Sequence, residues 1–109
     1  MATRTPITLL LKTLTATASD SSYTVPASSN MTISAATLNN TTGAPINATI
    51  QVTPSGGSAL PIVSALPIPI AGTAPTTIPG LVGQNMSAGA KIEASGLNLN
   101  LWISGYLQT

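Results

Sequence analysis

Only five of the 109 residues carry charged side chains, namely Arg4, Lys12, Asp20, Lys91 and Glu93, and the chain has no His, Cys or Phe. General acid–base catalysis draws on His or on two carboxylates in contrasting environments. The candidates here are Asp20 and Glu93. Asp20 lies in a Ser-rich stretch, where a short acidic side chain is a turn-former. Glu93 shares a strand face with Lys91 and reads as a solvated charge. A Ser–Lys dyad can be drawn from Ser87 and Lys91, but a chain with 29 Ser and Thr residues supplies such pairs by chance. Nucleophilic catalysis also needs an oriented base and a site for the oxyanion, and the sequence announces neither.

Other site chemistries fare no better. Zinc lacks its usual thiolate and imidazole ligands, and one carboxylate makes a weak calcium site. Gly83 to Gly89 reads GQNMSAG, without the Gly-Lys-Ser/Thr ending of a phosphate loop. Three scattered basic residues without aromatic platforms argue against nucleic acid as a partner. The reading is therefore not an enzyme, with no catalytic residue, no metal site and no cofactor.

The elements that would position any site repeat with a period of two. Leu97, Leu99, Leu101, Ile103, Gly105 and Leu107 alternate with Asn98, Asn100, Trp102, Ser104 and Tyr106. Such alternation is the mark of a half-buried strand. Ile46, Ala48, Ile50 and Val52 repeat it, as do Met31, Ile33 and Ala35, and Ile92 with Ala94. Turn-forming clusters separate these runs. Short strands between regular turns predict an all-β fold, a single antiparallel sandwich or jelly-roll-like domain over residues 1–109. Net charge is +1 and Leu, Ile and Val total 26, which separates the chain from disordered sequences rich in Ser and Pro.

Two segments stand apart. Residues 1–14 are expected to form a strand or docking arm. Ile7, Leu9 and Leu11 fall on one face, Leu10 and Leu14 on the other, so a second chain is expected to cover one side. Deleting this segment is expected to abolish docking and leave a folded core. Leu60 to Pro79 holds Pro61, Pro67, Pro69, Pro75 and Pro79, which forbid a central strand and leave an edge strand, a loop or an arm. Arg4, the run Ile7 to Leu11 and Ala16-Thr17-Ala18 loosely follow a signal peptide, but the run is short and stops at Lys12. Ala59 to Gly72 is too short and too rich in Pro for a membrane-crossing helix, so no membrane partner is expected.

The low charge points to a surface that packs against neighbours, because uncharged Ser, Thr and Asn are cheap to desolvate. Trp102 and Tyr106 lie four residues apart on the polar face of their strand, and exposed aromatics are favoured interface anchors. The interface candidates are Ile7, Leu9, Leu10, Leu11, Leu14, Pro67, Pro69, Trp102 and Tyr106.

Met86 to Ser95 reads MSAGAKIEAS, and the last strand closes in Ile103-Ser104-Gly105. Upstream stand Tyr23-Thr24-Val25-Pro26-Ala27, Met31-Thr32-Ile33 and Leu38-Asn39-Asn40. Over residues 20 to 107 this cadence resembles small β-sandwich virion proteins of tailed bacteriophages. Those proteins often carry Asp after the glycine, where this chain has Ala90. The resemblance implies a structural protein assembled into the virion in the host cytoplasm. It would be capsid cement or decoration first, with neck, collar, head-fibre or tail-fibre attachment as the alternative. Its partners would be the major capsid protein and further copies of itself. From another class comes a secreted carbohydrate-binding or adhesive sandwich, with Trp102 and Tyr106 beside Asn98 and Asn100 as the sugar site.

Overall fold

The computed structural model describes residues 3–69 and 75–109. In chain order the elements are β1 (Arg4–Thr13), a single 3-10 turn (Ala18–Asp20), β2 (Ser22–Thr24), β3 (Asn30–Asn40), β4 (Ile46–Thr53) and β5 (Leu60–Ile68), followed by β6 (Thr76–Thr77), β7 (Asn85–Met86), β8 (Lys91–Ser95) and β9 (Leu99–Gln108). They form two antiparallel sheets. One runs β1-β9-β3-β6, with β7 also paired to β3, and the other runs β2-β8-β4-β5.

This order has a simple origin. The first half of the chain pairs with the second as one long ribbon: β1 with β9, β2 with β8, β3 with β6 and β7, β4 with β5. Winding the ribbon adds β3 against β9 and β4 against β8. With β6 and β7 counted as one position along β3, the result is an eight-position jelly roll. The ends of the ribbon meet, and Thr3 and Thr109 exchange backbone hydrogen bonds of 3.2 and 3.0 Å.

The core lies between the sheets and follows the alternation closely in β4 and β9. Ala48, Ile50, Ile92, Ala94, Leu99, Leu101 and Ile103 are all buried. Asn40 is the polar exception at the end of β3. Its Nδ2 donates to the Ala44 and Ile68 carbonyls at 2.8 and 3.2 Å, and its Oδ1 accepts from the Thr42 amide and hydroxyl. With its amide so occupied, burial carries little penalty, and the β3–β4 turn is tied to the end of β5.

Two β-bulges in the first sheet depart from simple alternation, and two further register shifts lie where β5 pairs with β4. The β1 register against β9 shifts between Thr8 and Leu10, and the β3 register shifts between Ile33 and Ala35. An extra residue resets which side chains point inward. Leu9 and Leu10 therefore both enter the core, and Leu14 joins them, whereas Leu11 turns outward. That corrects the assignment of Ile7, Leu9 and Leu11 to one face. In β3 the bulge at Ser34 leaves Ala35 exposed and sends Ala36 and Leu38 inward. Leu97 is a third correction. It sits in the turn before β9, closed by the Leu99 amide on the Gly96 carbonyl at 3.0 Å, and is exposed.

The described part of the Pro-rich stretch lies on its own sandwich. Residues 60–68 are the edge strand of the second sheet, with Pro67 opposite Asn47 and Pro61 opposite Gln51. An edge position suits Pro, because the outward side of the strand has no ladder to serve. Past the undescribed residues 70–74, Thr76 and Thr77 pair with β3, and the Ile78 amide reaches the Ala36 carbonyl at 3.1 Å.

Candidate interaction face

The residues considered for catalysis are engaged elsewhere. Thr15 donates its hydroxyl to Asp20 Oδ2 at 2.8 Å, and Lys12 Nζ donates to the Asp20 carbonyl at 2.7 Å, so Asp20 closes the turn after β1. Glu93 is only 6% exposed, which corrects its reading as a solvated charge. Its Oε1 accepts from Gln51 Nε2 at 3.2 Å and lies 3.6 Å from Lys91 Nζ. Among the described residues no hydrogen bond joins Ser87 to Lys91. Burial pushes the phenol of Tyr23, packed beside the core on β2, above its ordinary value.

What the fold does assemble is a surface. On β9 the side chains that alternate with the core point out from the first sheet, and the register with β1 and β3 sets their neighbours. Five rows cross the three strands: Arg4, Gln108, Asn30; Pro6, Tyr106, Thr32; Thr8, Ser104, Ala35; Leu11, Trp102, Thr37; and Thr13, Asn100, Asn39. Arg4 is the one charged residue in these rows, and its guanidinium lies 5.5 Å from the centre of the Tyr106 ring. That distance permits a cation–π contact.

The face has relief. A depression of about 390 Å³ lies beside Tyr106, bounded by Pro6, Thr8, Ser34 and Ser104. A second, of about 360 Å³, lies beside Trp102, bounded by Leu11, Thr37, Asn39, Pro75 and Asn100. Trp102 is 54% exposed and Leu11 66%, so neither a loop nor the first strand covers the indole among the described residues. Thr13 donates to Asn100 Oδ1 at 2.6 Å, which orients that amide on the rim.

Of the sequence-derived candidates, Leu11, Trp102 and Tyr106 come together on this face. Ile7 is half-buried on the inner side of β1, and Leu9, Leu10 and Leu14 belong to the core, so packing within the domain already occupies them. Pro67 and Pro69 are exposed at the far end of β5. Sequence reasoning missed Pro6, Ala35, Thr37 and Asn39 as companions of Trp102. The only hint was the unbroken Leu9-Leu10-Leu11, a run that simple alternation does not produce.

A second uncharged apolar surface lies at the β5 margin. Leu60 and Ile62 are each about half exposed there. Beside them a depression of about 190 Å³ opens toward Val52, Leu81 and Met86.

Because Trp102 is anchored by little more than Leu11 and Thr37, Trp102→Ala is expected to shift unfolding stability by no more than about 1 kcal/mol. Urea denaturation followed by far-UV circular dichroism checks this. A larger loss would make Trp102 a stability residue and remove it from the face.

Comparison of the chain with family models, with curated proteins and with solved structures finds no match.

Proposed function

We propose that this chain is a non-enzymatic structural protein of a bacteriophage particle, acting as cement or decoration on the capsid. The observation that carries the proposal is a pair of separate surfaces with exposed apolar side chains and little charge, one around Trp102 on the first sheet and one along β5 on the second. A cement molecule must touch two neighbours at once, and two such surfaces meet that need. Their composition suits permanent burial, since interface cores are poor in charge and rich in aromatic residues. Each contact is modest, but it is repeated at every copy on the particle.

Three further features support the reading. Jelly rolls recur in viral capsid domains, although a fold alone never assigns a function. The cadence of residues 20–107 resembles phage virion sandwiches. The three basic side chains are dispersed and engaged, Arg4 over Tyr106, Lys12 on the Asp20 carbonyl and Lys91 beside Glu93, which leaves no basic stripe for nucleic acid.

Immunogold electron microscopy of phage particles from the source, with antibody raised to this chain, tests the proposal. Label spread over the heads is the expected result. Label confined to neck or tail keeps the virion role and moves its place to a collar or fibre. Absence of label, with the protein found outside cells, overturns the reading.

One observation favours a second reading, a carbohydrate-binding sandwich. Trp102, Asn39 and Asn100 share one depression, and an aromatic platform flanked by amides suits a neutral sugar ring. Asn98 sits outside it, in the turn before β9. Retention on a glycan array by the native chain and not by Trp102→Ala would favour this alternative.

A further inference from the structure

From the pattern on the outer face of the first sheet we infer that this face pairs with the same face of a second copy about a two-fold axis along the Thr8–Ser104–Ala35 row. The inference builds on the proposed structural role by naming what covers one of the two apolar surfaces, and it leaves the β5 margin for the particle.

The five rows are nearly self-complementary. Ser104 is the midpoint of β9 between Trp102 and Tyr106, and the row through it holds only the small side chains of Thr8, Ser104 and Ala35. A two-fold axis along that row runs the partner's strands antiparallel and exchanges the rows on either side. Pro6, Tyr106 and Thr32 then lie over the partner's Leu11, the partner's Trp102 and the partner's Thr37. Apolar meets apolar, and the small central row meets itself.

Relief and charge agree with this arrangement. Each aromatic knob has a depression one row away, about 390 Å³ beside Tyr106 and about 360 Å³ beside Trp102. The exchange aims Trp102 of each copy at the depression beside the partner's Tyr106, and the reverse. Arg4 stands at one end of the face, so the exchange sets it over the partner's Thr13, near amide and hydroxyl groups and at the opposite end from the partner's Arg4. No like charges face each other in this arrangement.

The area is sufficient. The three long strands, of 10 or 11 residues at about 3.3 Å per residue and about 4.8 Å apart, present a face of roughly 500 Å². Two copies would bury about 1,000 Å², the size at which a specific interface begins. Aligned sheets pack face to face in this way within sandwiches, about 10 Å apart.

The test uses the isolated chain, so its outcome is separate from that of particle labelling. Trp102 is the single tryptophan, and its emission reports whether this face is covered. Sedimentation equilibrium and fluorescence are followed together across a dilution series. The expected result is twice the monomer mass at high concentration, with emission moving to longer wavelength as the dimer dissociates. Ser104→Lys and Ala35→Lys each place a charge against its own copy at the axis, and each is expected to weaken the dimer by about a hundredfold or more. Circular dichroism confirms that the variants fold, and Ala35, already exposed, guards against misfolding at Ser104. A monomer at every concentration overturns the inference. So does a dimer with solvent-exposed indole emission, a dimer indifferent to both lysines, or a trimer. None of these results bears on whether the particle is labelled.

Discussion

Removing residues 1–14 is expected to unfold the domain. The segment contributes Leu9, Leu10 and Leu14 to the core, and β1 pairs with β9 along its whole length. Truncating one buried Leu to Ala typically costs about 2–5 kcal/mol, and a small domain has only about 5–15 kcal/mol in total. Losing three such side chains, together with the strand that flanks β9, exceeds that margin. The truncated chain should show no cooperative thermal transition and no near-ultraviolet dichroism from Trp102. A sharp transition in the truncated chain would mean that β1 lies outside the core. This reverses the expectation from sequence that the segment is a detachable arm. Docking is better tested with Leu11→Ser, which alters the outer face and leaves the three buried leucines in place.

Gly105→Ala is expected to be the most damaging glycine-to-alanine change among the described residues, costing about 3 kcal/mol or more. Gly105 lies between Ile7 of β1 and Ile33 of β3, next to both bulges. A Cβ added there would collide with the Thr32 carbonyl oxygen and lie 3.1 Å from the Ile33 Cα. Both are backbone atoms, so no rotamer relieves the contact and β3 must lift away from β9. Overpacking usually costs about 1–3 kcal/mol when side chains can adjust. Here the adjustment would break the ladder at the centre of the sheet. Equilibrium urea unfolding measures the loss, with Ser104→Ala on the outward side as the control. A Gly105→Ala midpoint equal to that of the native chain would refute the close approach.

The alternation in β4 and β9 was legible because each strand buries one face and holds its own spacing, and a side chain's side then follows from parity alone. Burial at Ile50, Leu101 and Ile103, and the all-β sandwich itself, were readable on that basis. Parity failed at Leu9 and Ser34. A bulge is chosen by how two strands meet a third, and the residue types inside it carry little trace of it. That one missed feature concealed both the core role of Leu9 and Leu10 and the outward turn of Leu11.

Glu93 was misread for a related reason. Its strand position put it on the outer side of its sheet, but Gln51, from a strand distant in sequence, lies across it. The sequence by itself determined the period-two strands, the turns between them, the scarcity of charge and the exposed side of Trp102 and Tyr106. These follow from local chemistry and the pleat. Only the tertiary structure decided the winding of the ribbon, the edge placement of the Pro-rich strand, and which residues of β1 and β3 join the two aromatics. Those depend on pairings between residues far apart in the chain, where registers and bulges are selected by the packing of the whole.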